Sequence, residues 1–174
     1  NFRIKTKKGG FIKYYGSVDQ NQLSVESESL EKDFDRNNVS LKGQNMYHNL
    51  SYKEKFGKYL VNIGGSYTYN SNDLNFANLL NQVEINQTKI NSQSNYINGK
   101  LVVERKFGIN TLRAGVEFNN ADEKMNYGFY EKNYKDLISS AFAETDLIFT
   151  NDLSAKIGAR TEHSSYLDKW NFSP

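Results

Sequence analysis

Residues Tyr96–Asn119 read YINGKLVVERKFGINTLRAGVEFN. In the first half, Ile97, Gly99, Leu101 and Val103 alternate with Asn98, Lys100, Val102 and Glu104. In the second half, Leu112, Ala114, Val116 and Phe118 alternate with Thr111, Arg113, Gly115 and Glu117. Period-2 alternation marks strands, and a tight turn at Gly108-Ile109 folds the two into a hairpin. Leu101 then faces Val116 and Val103 faces Ala114, while Glu104 meets Arg113 and Lys100 meets Glu117 on the other side. One face is apolar, and the other carries opposite charges directly across the ladder. In a soluble sandwich the charged face meets bulk water. In a membrane barrel the apolar face meets lipid and the charged face lines the lumen.

Composition favours the second arrangement. The chain has 174 residues, of which 37% are hydrophobic, 24% charged and 14% aromatic. So few apolar residues suit a conventional two-layer core poorly, and so many aromatics argue against disorder. A barrel with a polar lumen needs apolar residues only at alternate positions. No apolar run reaches the ~18 residues of a membrane-spanning helix. The net charge of +2 is too small to point to nucleic acid. Cysteine is absent, which excludes disulfides and thiolate metal sites, and the one proline is Pro174. The chain begins at Asn1 and reads as an internal portion of a longer mature protein.

Outward from the hairpin, strands are expected at Phe11–Val25, Val39–Lys53 and Tyr59–Asn70, and at 141–149 and 153–162. A turn at Thr150-Asn151-Asp152 sets Asp146 opposite Lys156. Short turns at 7–10, 54–57, 107–110 and 150–152 alternate with long connections at 26–37, 71–95 and 121–137. Outer-membrane barrels have this parity, with short periplasmic turns and long external loops. The acidic stretch 26–37 reads as a solvated loop, since it lacks the ligand spacing of an EF-hand. Within 71–95, Phe76, Leu79, Leu80 and Val83 have the spacing of a short amphipathic helix. Tyr52, Phe56, Tyr59, Phe107 and Phe149 cluster near the short turns, at the level of an aromatic girdle.

Several segments together resemble the TonB-dependent outer-membrane receptors of Gram-negative bacteria. They are Lys7–Ser17, Asn45–Gly57, Leu101–Gly108, Leu112–Phe118 and above all Ala141–Pro174. The last contains a G-x-R-x-E strand end, Gly158–Glu162, then a loop and an N-x-S-P strand start, Asn171–Pro174. The resemblance spans nearly the whole chain, within the barrel region only; no plug domain or TonB box is seen. It implies an antiparallel up-and-down transmembrane barrel of about 22 strands with a plugged lumen. About eight of those strands lie here, so 1–174 is part of one barrel domain. It also implies energised uptake of a scarce nutrient: a metal–siderophore complex, cobalamin, an oligosaccharide or a peptide. The implied partners are outer-membrane lipid, the TonB complex through the missing N-terminal region, the small ligand and a surface lipoprotein. The alternative is a passive porin-like channel, or a structural or adhesion barrel without TonB coupling.

The residues suggest no enzyme and no cofactor. Only His48 and His163 are available for a Ser–His–Asn arrangement, and each sits in a strand context that needs no catalytic reason. No zinc set can be assembled, and Asp122-Glu123 are adjacent rather than a separated carboxylate pair. Leu101, Val103, Ala114, Val116, Ala143, Leu147, Ala155 and Ile157 are expected to face lipid. Lys100, Glu104, Arg113, Glu117, Asp146 and Lys156 are expected to face the lumen. Ligand contacts are expected in the long loops, chiefly from Tyr127, Phe129, Tyr130 and Tyr134 of the 121–136 loop.

Overall fold

The computed structural model of the chain describes residues 1–28, 35–80 and 83–174. Among the described residues there are nine antiparallel strands: β1 (Phe2–Lys5), β2 (Phe11–Glu28), β3 (Asp35–Phe56), β4 (Tyr59–Leu80), β5 (Val83–Phe107), β6 (Asn110–Tyr127), β7 (Tyr130–Ile148), β8 (Ser154–Ser164) and β9 (Lys169–Ser173). Each pairs with its neighbours in sequence, so the order is β1 through β9 in one open sheet. The up-and-down antiparallel class is as the alternation indicates, with one strand more than expected.

The β5–β6 register is the one read from sequence. Leu101 pairs with Val116, Val103 with Ala114, Glu104 with Arg113 and Lys100 with Glu117. Between β7 and β8, Asp146 lies opposite Lys156. Gly57, Gly108 and Gly128 open two-residue turns, with φ of +60°, +62° and +57°. Glycine reaches this region without steric cost, and turns of this kind match the twist of the flanking strands.

Three expectations are corrected. The 71–95 segment is not a loop, because β4 runs to Leu80 and β5 starts at Val83. Phe76 is not on a helix; it pairs with Val39 on one side and Thr88 on the other. The 121–137 segment is likewise a hairpin, closed at Gly128-Phe129. Loop length therefore does not alternate at these two positions. Strand overhang does: hairpins at one end turn near Phe56/Tyr59 and Phe107/Asn110, while β4 continues eleven residues past Tyr69. Of the 26–37 stretch, positions 29–34 lie outside the described residues. Its flanks are paired strand, with Arg36 Nη1 2.9 Å from Glu26 Oε1.

Burial is inverted relative to a soluble domain. Among the described residues, Ala77 is the one buried hydrophobic, at 3% exposure, whereas Glu54, Asp136 and Ser140 are buried polar groups. Val116 is 52% exposed, while the side chain of its neighbour Glu117 is 16% exposed. Leu50, Ile63, Leu101, Val116, Phe118 and Ile157 are all exposed on one face. Exposed apolar surface on this scale is rare in soluble monomers and marks a face that meets a protein partner, a ligand or a membrane.

Candidate functional site

Strand pairing places every second residue of each strand on a common face. Following the register across the sheet, Ile63, Leu101, Val116 and Ala141 form one uncharged row. The next residue along each strand belongs to the opposite face, where Glu104, Arg113 and Glu144 form another row. The first face is the apolar one, and it carries all eight residues expected to meet lipid.

The second face carries a ladder of charges over β5–β8. Arg113 is its centre. Its Nε lies 2.9 Å from Glu104 Oε2, and its Nη1 lies 3.1 Å from Glu144 Oε1 and 2.8 Å from Asp146 Oδ2. Lys156 Nζ continues the chain to Glu144 Oε2 at 2.9 Å. A second cluster joins Lys100 to Glu117, Glu117 to Arg160 Nη1 at 2.9 Å, and Arg160 Nη2 to Glu162 at 3.3 Å. Arg160 Nη2 also donates to Ser140 Oγ at 2.9 Å. The hollow above this ladder measures about 810 Å³.

All six charged residues singled out from sequence lie on this face. Two of the expected pairs, Glu104–Arg113 and Lys100–Glu117, are ion pairs. The third is not: Asp146 and Lys156 are opposite in register, but Asp146 binds Arg113 and Lys156 binds Glu144. Glu144, Arg160 and Glu162, which alternate with apolar neighbours in sequence but are not among those six, complete the ladder. The signal for Glu144 was the turn at Gly128, which sets Arg113 opposite Glu144 and was hidden by the loop assignment.

The four aromatics of 121–136 do not form one loop surface. Tyr127 pairs with Tyr130 at the hairpin tip, and Phe129 projects fully into solvent. Tyr134 is further down β7, with its ring 5.0 Å from that of Tyr166. Its hydroxyl donates to Asp136 Oδ2 at 3.3 Å.

Asp136, 5% exposed, is an anchor that the sequence did not disclose. Its carboxylate accepts hydrogen bonds from the Tyr166 N–H at 3.0 Å, Ser164 Oγ at 2.9 Å and Ser165 Oγ at 3.2 Å. These bonds tie the β8–β9 turn to β7. Asp136 lies one residue beyond Leu137, where the apolar face gives way to Lys135 and Asn133. The Tyr166 N–H, followed by the two serine hydroxyls, holds its carboxyl below the ordinary aspartate range.

Both histidines are engaged with aromatic neighbours on the apolar face. His48 Nδ1 is 2.7 Å from the Tyr14 hydroxyl, and the His163 ring stacks at 4.8 Å on Trp170. Among the described residues, no group of His, Asp and Glu is disposed to hold a metal ion. No family model matches the chain, and no curated protein matches it.

Proposed function

We propose that the chain is part of the wall of a plugged outer-membrane β-barrel, a TonB-dependent receptor that takes up a small nutrient. The inversion of burial carries this reading: apolar side chains are exposed on one face, and the opposite face holds a connected charge ladder. In lipid every backbone polar group must be satisfied within the protein, and a sheet of next-neighbour antiparallel strands meets that demand once closed. Dimensions agree. At ~3.3 Å per residue, Tyr59 to Tyr69 covers ~33 Å along β4, or ~25 Å at a tilt of ~40°, the height of an outer-membrane apolar band. Tyrosines mark both ends of that stretch, as interface girdles do. The overhang of β3–β7 on one side then corresponds to extracellular hairpins. The tip bearing Tyr127, Phe129 and Tyr130 offers exposed aromatic surface to an arriving ligand.

The test is growth of the source cell on single nutrients, with the chromosomal copy deleted, with residues 127–130 replaced by Gly-Gly, or with TonB inactivated. The receptor reading expects one nutrient whose uptake is lost in the first and third strains. Uptake that survives TonB inactivation but not deletion would indicate a passive channel. Full uptake in the tip variant, at normal surface expression, would remove Tyr127, Phe129 and Tyr130 from recognition.

A further inference from the structure

The charge ladder ends abruptly. One row above Lys100 and Glu117, register aligns Tyr15, Asn49, Ser66, Asn98 and Asn119 on the same face, and none is charged. The row above that aligns Ser17, Tyr47, Thr68, Tyr96 and Ala121, uncharged from β2 to β6, and reaches a charge on β7 at Asp136. The boundary between the ladder and these rows is indented into a hollow of about 290 Å³, walled by Asn49, Ser66, Asn98 and Asn119 and closed on the ladder side by the Lys100–Glu117 ion pair. Gly64 makes the indentation: a methyl group at its Cα would meet nothing closer than the Leu50 carbonyl, 3.9 Å away. Tyr15, 48% exposed, sits directly across from Asn49, with its ring 5.8 Å from that of Tyr47.

We infer that this hollow is a subsite for a neutral, polyhydroxylated ligand, namely a sugar unit of an oligosaccharide. Each asparagine offers two donors and two acceptor lone pairs on one flat group, which matches vicinal hydroxyls that must both give and accept. The Asn98 amide uses one donor on Ser66 Oγ, at 3.1 Å, which fixes its orientation and leaves the rest of its capacity for a ligand. Tyrosine rings supply apolar surface for the C–H faces of a sugar, with little conformational entropy to lose. Tyr96 is held in place by donating its hydroxyl to Glu123. An anionic ligand such as an iron chelate is a poor match here. Of the cations around the hollow, Lys100 and Arg160 are already committed to Glu117, and stripping them would leave that carboxylate unpaired; Lys13 stands in the Lys100 row, two strands from Gly64.

This inference deepens the receptor reading, on which it rests for the ligand's route of access. The test uses the full-length protein purified in detergent, with titration calorimetry against maltoheptaose, cellohexaose and an inulin oligosaccharide. Ferric citrate and an uncharged tetrapeptide are the comparison ligands. One of the glycans should bind. Gly64→Val, which fills the hollow with a side chain suited to a strand, should weaken that binding about tenfold or more, and Asn98→Ala by a similar factor. Lys156→Gln, in the ladder but outside the hollow, should leave it unchanged. Heat-modifiable electrophoretic migration reports whether each variant is folded. Binding of none of the glycans overturns the proposal. So does preference for the peptide or for ferric citrate, or affinity within about twofold of wild type in folded Gly64→Val and Asn98→Ala. Glycan binding by a protein that fails to enter vesicles would leave the subsite standing and count against the membrane reading alone.

Discussion

Arg113 on β6 stands directly opposite Glu104 on β5, with its Nε 2.9 Å from Glu104 Oε2. Its other arm reaches across to Glu144 and Asp146 on β7. One guanidinium thus joins three strands, and its planar fork suits several carboxylates at once. Replacing Arg113 with Leu leaves three carboxylates facing one another. The site is about one-third exposed, so water and salt soften the effect. Denaturant unfolding should show a loss of about 1–2 kcal/mol. Glu104→Gln, which removes one of the three carboxylates, should cost less.

The register leads to a second expectation. Gly115 has the Phe142 ring 2.7 Å from where a Cβ would stand, and also the Leu101 carbonyl oxygen at 2.8 Å. At Gly99 the nearest atoms are those of the Phe118 ring alone, which can swing toward the surrounding medium. Gly115→Ala should therefore destabilise the sheet by about 1–3 kcal/mol, and Gly99→Ala by less. Equal effects in the same unfolding assay would contradict the paired geometry of β5 and β6.

Much of this arrangement is legible in the sequence, and the illegible part has a physical cause. Between Tyr96 and Asn119 one face is apolar and the other charged, so register follows from alternation alone. In 71–95 and 121–136 that contrast is gone. Asn, Gln, Ser and charged residues occupy both faces, and the strands persist on ladder hydrogen bonds that leave no period-2 trace. Phe76, Leu79, Leu80 and Val83 fit helical spacing by coincidence. With the hairpin at 127–130 unrecognised, Glu144 could not be assigned to Arg113, nor Asp136 to the serines of the following turn.

Asp136 supplies a pH prediction. Its folded-state pKa is depressed, so the stability it lends is present above the unfolded aspartate value of about 3.9 and is lost as pH falls through the lower folded value. Acidification through that window should release the β8–β9 turn before the strands. The readout is faster amide exchange at Tyr166 and Ser165, corrected for intrinsic rates. Asp136→Asn should make exchange at these amides fast at neutral pH as well, and should flatten the dependence.

Leu101→Arg places a charge on the apolar face at its uncharged row. Folding into lipid vesicles should lose about 2–4 kcal/mol, and Lys100→Arg, one residue away on the ladder face, should lose little. By contrast Phe129→Ala, at the exposed hairpin tip, should change stability by no more than about 0.5 kcal/mol.

Cysteine is absent from these 174 residues, so the decisive measurement uses single labels placed within them, with any cysteine elsewhere in the full-length protein replaced by serine. Leu101 and Val102 are adjacent, both apolar, and on opposite faces of β5. A cysteine at each position, carrying an environment-sensitive fluorophore, would be examined in the full-length protein folded into vesicles of lipids brominated on their acyl chains. Strong quenching is expected at position 101 and weak quenching at 102, with the same contrast between Val116 and Gly115. Equal quenching at 101 and 102, or none at either, would contradict a sheet whose exposed apolar face is turned to lipid.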